Sequence, residues 1–418
     1  MKIAIIGSGI SGLGAAHLLH AQHDITLYEK NTYAGGHSRT IEVKTPDGVL
    51  PVDTGFIVFN DRNYPNLTAL FKRLDVPVIA SDMSFGVSIA DGWLEYGTQQ
   101  TGNIFAQKRN VLRRDFWKMI ADILRFNKQA QRYIGADPSV TLGQCLDELK
   151  MGAWFRHYFL LAMGGAIWST PLVQMLEFPA QTFIRFFDNH GLLTVNDQPQ
   201  WYTVKGGSRA YVARLTDGFK DRIKLDCAAV RVARHAKGVD VHDVTGKSER
   251  YDEVIFACHS DQALALIENS TDLEAQLLGD VRYQRNRIVV HSDARLMPQR
   301  KGAWASWVYL SDAKHDANPS VSLSYWMNRL QQLPTQMPVI VTLNPGTQPD
   351  DALMHDRYDF EHPVFDAAAI RAQARLPEIQ GKQHLWFCGA WQRYGFHEDG
   401  LLSAMRVAQG LGVRIPWQ

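Results

Sequence analysis

The hydrophobic pattern changes character several times along the chain. Residues 2–6 (KIAII) form an unbroken apolar run, the pattern of a strand covered on both faces. A glycine-rich turn, GSGISG, follows, and Gly14, Ala15, Ala16, Leu18 and Leu19 then predict a helix. DITLYEK gives a second strand, closing a strand–turn–helix–strand unit within 30 residues. Residues 104–190 read as mostly helical, with Leu112, Phe116, Met119, Ile120, Ile123 and Asn127 at helical spacing. Residues 223–258 read as a β-meander ending in a buried strand, YDEVIFA. Four further strand-like runs, RNRIVVHSD, WASWVYL, VSLSYWM and PVIVTL, fill 281–345, with Pro334 and Pro338 as punctuation. The C-terminal region offers another strand, LWFCGAW, and a helix over HEDGLLSAMRVAQGL. The expected class is α/β. Tyr158–Leu176 carries no charge, but Gly164-Gly165, Ser169-Thr170-Pro171 and Gln174 interrupt it, which predicts helix, turn, helix and not a membrane span.

Composition narrows the function. The chain has 418 residues, enough for two or three domains and a core that needs no disulfide or metal staple. Its 45% apolar content excludes a disordered chain, and a net charge of +1 gives no global reason to expect nucleic acid. Cys145, Cys227, Cys258 and Cys388 are far apart and fit a reducing compartment. The fifteen histidines show no HExxH-type spacing, so no metal is expected. The run IAII is too short for an export signal, and a cytoplasmic location is the expectation.

The chemistry begins at the first turn. Gly7 permits the tight exit from the strand, Gly9 lets backbone approach a pyrophosphate, and Gly12 lets the helix pack closely on the strand. Ser11 lies inside this turn, at the helix N-terminus whose free N–H groups attract phosphate. Glu29, with Lys30 beside it, stands where a carboxylate can hold a ribose diol and would repel a 2′-phosphate. NAD and FAD both fit so far. A second glycine pair, Gly35-Gly36, then His37, Ser38 and Arg39, suits the longer diphosphate and ribityl chain of FAD. Thr54, Gly55 and Phe56 follow in PVDTGF, a segment that could face the ring system.

Three separated segments resemble the superfamily of FAD-dependent amine oxidases, protoporphyrinogen oxidases and phytoene desaturases: the fingerprint with its second glycine pair, residues 223–258, and LWFCGAW with the helix after it. GGHSRT, VDTGF and GAWQRYGFHEDGL are also similar to bacterial FAD proteins linked to cyclopropane and branched fatty acid synthesis. The resemblance implies a Rossmann-like FAD domain with a β-meander, built from 1–58, 202–280 and 383–418, plus a discontinuous α+β substrate domain of the amine oxidase kind, from 59–201 and 281–382. It implies that Val230 meets the adenine through its backbone, that Ala257 packs near the diphosphate, and that Gly389, Gly400 and Leu401 lie on the flavin side.

By the same resemblance, the expected activity is oxidation or desaturation of an apolar, fatty-acyl-like substrate by hydride transfer to flavin N5. The alternatives are an amine or polyene oxidase, and a non-catalytic flavoprotein partner of a lipid-modifying enzyme. His37 replaces the arginine usual in amine oxidases, and no paired aromatic cage is evident; both count against a small amine. His397 in the C-terminal loop is the candidate base, because an imidazole can be neutral near pH 7, and Tyr394 is the weaker one; the alternative for His397 is a loop histidine that bonds the flavin edge or a backbone carbonyl. Eight tryptophans on the substrate side and near the C-terminus, Trp154, Trp168 and Trp307 among them, either line an acyl tunnel or fill the core. Finally, Ile104–Ile134 holds eight cations against Asp115 and Asp122, so it reads either as a core-packed helix with a solvated face or as a peripheral contact with the inner membrane surface. The electron acceptor is left open.

Overall fold

The computed structural model describes every residue except 138, 169–174, 190, 195–197 and 313–320. The turn expected at Ser169–Pro171 and the side chain of Trp168 lie outside the described residues.

The apolar run Lys2–Ile6 is the middle strand of a five-stranded parallel sheet. Asp24–Tyr28 and Glu253–Phe256 flank it, with Ile3 opposite Ile25 on one side and Glu253 on the other. Ile223–Lys224 and Leu385–Phe387 form the two edges. Ile3, Ala4 and Ile5 are wholly buried because both faces are covered. One face carries the helices Ile10–Leu19, Arg209–Thr216 and His397–Gly410. The other carries the meander Ala229–His235, Gly238–Asp243 and Ser248–Tyr251 with the helices Asp272–Gly279 and Ala367–Arg375.

A second, larger core surrounds a seven-stranded mixed sheet. Its order is Met354–Val364, Arg282–His291, Ile340–Leu343, Val321–Trp326, Trp307–Ser311, Phe85–Ile89 and Leu94–Gly97. The four runs read as strands over 281–345 are all in it. Phe85–Ile89, which pairs in parallel with Trp307–Ser311, is an addition that the sequence pattern did not reveal. Trp304 and Trp391 are buried, and Trp304 packs edge-on against Trp326 at 5.3 Å, so these rings are core.

Two latches tie the sheets' domains together at the glycine-pair loop. Arg39 pairs with Asp356 at 2.6 Å and lies over the ring of Tyr358. Asp53 is fully enclosed; its carboxylate accepts from Thr40 Oγ1, from Ser208 N and Oγ, and from Gln331 Nε2. Burial raises its pKa to about 6, although the bonds from Thr40 and Ser208 pull the other way. Protonation therefore favours the folded state. The contribution is fully present below about pH 4, the unfolded value, and is lost as pH rises through about 6. Asp53→Asn should remove roughly 3 kcal/mol from the pH dependence of unfolding across that window. Urea melts at several pH values will check this; a wild-type slope in the variant would refute the assignment.

Candidate functional site

The fingerprint turn is built by backbone contacts that only glycine allows. A Cβ on Gly12 would lie 1.8 Å from the carbonyl oxygen of Gly7, and one on Gly7, where φ is +104°, would meet Ala257 O at 2.9 Å. Gly9 differs: nothing lies within 4 Å of where its Cβ would be. The space beside Gly9 is thus open to a guest at the N-terminus of the Ile10–Leu19 helix, which has no side-chain cap. The second glycine pair closes over it. Gly36, at φ +58°, comes so near that a Cβ there would sit 3.0 Å from Gly9 Cα.

Glu29 is buried at the end of its strand. Its carboxylate accepts from Ser8 N at 2.9 Å and Ser8 Oγ at 2.5 Å, and from Asn31 N and Nδ2 at 2.8 Å each. It therefore also braces the fingerprint turn, a duty that sequence reasoning missed. Lys30 is exposed beside it. Val230 is half exposed and stands in a register shift of the meander between Ala229 and Arg231, which frees its backbone groups from the ladder.

Six side chains lie deep in the molecule and still keep accessible surface: His37, Cys258, His259, Tyr283, His362 and His397. The rings gather into one cluster, with His37 5.3 Å from His362 and His259 stacked on Tyr283 at 4.2 Å. Burial lowers all four imidazoles, His259 and His362 to about 4 and His397 to about 3, and in His37 the neighbouring histidines add to the effect. Burial pushes the Cys258 thiol up to about 12. At neutral pH every one of these groups is uncharged. His37 stacks on Phe360 at 4.3 Å, and its Nε2 is buried with no partner, so it awaits one.

His397 opens the C-terminal helix. It stacks on Phe56 at 3.8 Å, and its Nε2 bonds Ser38 Oγ at 2.9 Å; Ser38 in turn bonds Tyr211. These contacts hold the His397 ring in place, and burial keeps its imidazole neutral. Tyr394 packs its ring toward Phe186 at 6.2 Å and donates its backbone N–H to Asp399. Burial raises Asp399 to about 6, against the pull of Arg393. Phe56 N bonds His37 O, Gly55 allows a close approach to that same carbonyl, and Thr54 donates to Arg39 O.

Gly400 lies against Ser11, and Leu401 lies against Gly14 of the same helix. A Cβ on Gly400 would touch Ile10 and Ser11 Oγ at 2.8 Å, and Leu401 is buried against Gly14. These residues bring the two helices' N-termini together. Gly389 is buried, donates its N–H to Ser403 Oγ, and leaves room for Trp391, whose indole N–H reaches Cys258 O.

An open glycine cradle on a Rossmann-like sheet and an orphaned imidazole within a cluster of neutral histidines define a flavoprotein site, and the residues present fit FAD. The chain matches the family of NAD(P)-binding Rossmann-like domains over residues 5–74 and that of flavin containing amine oxidoreductases over residues 106–283. These two matched stretches identify those parts of the chain with the amine oxidoreductase superfamily, a class of FAD-dependent oxidoreductases.

A 4,4'-diapophytoene desaturase of Staphylococcus aureus is 46% identical over 43 residues, a match spanning only 9% of that protein's length. The fold is shared with a CLA-producing fatty acid isomerase from P. acnes (TM-score 0.67, 14% identity, 97% of this chain and 98% of that one). It is shared equally with cyclohexylamine oxidase from Brevibacterium oxydans (TM-score 0.66, 16% identity, 98% and 99%).

Sequence reasoning did not pick out His259, Tyr283 or His362. His259 could have been found, since it follows the C-terminal end of a parallel strand, where ligands of such sheets bind. His362 lies within the long strand Met354–Val364 and carries no local signal.

Proposed function

We propose that this protein oxidises an apolar, unsaturated or modified acyl chain. The observation that carries the reading is the aromatic stacking beside the cradle: His37 lies on Phe360 at 4.3 Å and His397 on Phe56 at 3.8 Å, and burial holds both imidazoles in the neutral form, which offers a charged substrate no partner. FAD, when bound, accepts a hydride from carbon and so supplies the redox chemistry. The chain's own part is to bind and to position. The glycines at 9 and 36 and the capless helix end take the diphosphate, Glu29 takes the ribose, and the Phe56–His397–Ser38 stack fixes the wall nearest the C-terminal helix. The relatives include both a desaturase and a fatty acid isomerase, which agrees with an acyl or polyene class.

The test is anaerobic mixing of the FAD-loaded protein with unsaturated phospholipid or with small amines. Bleaching of the flavin by the lipid alone is the expected result. Bleaching by an amine alone, or by neither, would overturn the reading.

A further inference from the structure

The helix Arg114–Gln129 does not use the face that its apolar spacing singles out for an outside partner. Phe116, Met119 and Phe126 are buried, and Ile120 and Ile123 pack against the same core. A different stripe faces solvent: Arg114, Trp117, Lys118, Ala121, Leu124, Arg125 and Lys128, spaced three and four residues apart, are all exposed. Of the eleven large apolar side chains exposed among the described residues, four fall between 111 and 124: Val111, Leu112, Trp117 and Leu124. Leu112 is 86% exposed. Trp117 ties the group together, for its indole N–H donates to Val111 O at 2.9 Å and its ring lies 5.3 Å from Phe105.

The cations around this stripe divide into two kinds. Arg109 and Arg113 are bonded to the backbone carbonyl of Trp93, and Lys118 and Arg125 pair with Asp115 and Asp122. Among the described residues Lys108, Arg114 and Lys128 make no ion pair, and all three are exposed. An indole with an apolar body and a polar edge, fully exposed leucine and unpaired cations together match the boundary between lipid headgroups and acyl chains. A nucleic acid would satisfy the cations and give Leu112 and Leu124 nothing. Among the described residues no helix is long and apolar enough to cross a membrane, so contact would be peripheral.

We propose that the segment Lys108–Gln129 is a docking surface for an anionic lipid bilayer, with Leu112, Trp117 and Leu124 entering the headgroup layer and Lys108, Arg114 and Lys128 pairing with lipid phosphates. This inference does not rest on the proposed activity, because binding is measured without turnover.

The experiment is co-sedimentation of the full-length, FAD-loaded chain with vesicles of phosphatidylcholine alone or mixed with phosphatidylglycerol, at low and high salt. Two variants are compared with wild type. One is Leu112→Ser/Trp117→Ser/Leu124→Ser, the other Lys108→Gln/Arg114→Gln/Lys128→Gln; retained flavin absorbance reports that each is folded. Wild type should bind phosphatidylglycerol vesicles and release them at high salt. The charge variant should bind about a hundredfold more weakly, three cations contributing on the order of 1 kcal/mol each, and the apolar variant should also lose binding. No binding of wild type at low salt, or equal binding by all three proteins, overturns the proposal. So does self-association or RNA binding that both variants abolish while vesicles are ignored.

Discussion

Gly9→Val will give a folded, colourless protein. Gly9 has φ −65° and ψ 179°, a backbone that valine adopts readily, and no protein atom stands within 4 Å of the new Cβ. The substitution should leave apoprotein stability within about 0.5 kcal/mol of wild type. The two methyls instead fill the space reserved for the diphosphate. Overpacking of this kind costs ~3 kcal/mol or more, which weakens FAD by about a hundredfold at least. Gly12→Ala is the control with the opposite outcome. Its Cβ would lie 1.8 Å from a backbone oxygen, so strand and helix must part, and the protein should lose the flavin by losing its fold. Absorbance and thermal melts of both variants separate the cases. A yellow Gly9→Val protein would remove the cradle from the account.

The second large effect is expected far from any motif. The helix Pro65–Arg73 begins with Pro65 at its first turn, and its N-cap residue, Tyr64, gives no side-chain bond. Glu398, buried in the first turn of the C-terminal helix, caps it from across the fold. Its carboxylate accepts from Asn66 N at 3.1 Å, Asn66 Nδ2 at 2.6 Å and Leu67 N at 2.9 Å. Bonds to a charged acceptor at a helix N-terminus are among the stronger ones. Glu398→Ala should cost about 2–4 kcal/mol, because it leaves buried donors unpaired as well as removing the cap. Glu398→Gln keeps one acceptor and should recover part of that loss. Denaturant melts of the two variants give the comparison; equal stability of Glu398→Ala and wild type would rule out the cap.

These two residues show where sequence reading succeeds and where it stops. Gly9 was legible because its partners, the strand before it and the helix after it, are contiguous, and because glycine spacing is a backbone requirement. Glu398 was not, since its function depends on residues more than 330 positions away. The same holds for the histidine cluster. His37 and His397 stood out as parts of local motifs, whereas His362 and Tyr283 join the cluster from strands of the other sheet. The helix over 114–129 was legible in its period, which reports an apolar face but not whether protein or lipid covers it. The structure assigned that face to the core and exposed a second one.

The parallel sheet joins segments remote in sequence, with Lys2–Ile6 at its centre and Leu385–Phe387 along the edge of Glu253–Phe256. During synthesis the first strand therefore emerges long before the last one exists. A nascent chain must hold an unzipped, apolar edge until residues 385–387 have been made, and this makes it a natural client for chaperones. Messages truncated shortly before residue 385 should yield polypeptides that proteases clear, whatever the integrity of their fingerprint turn.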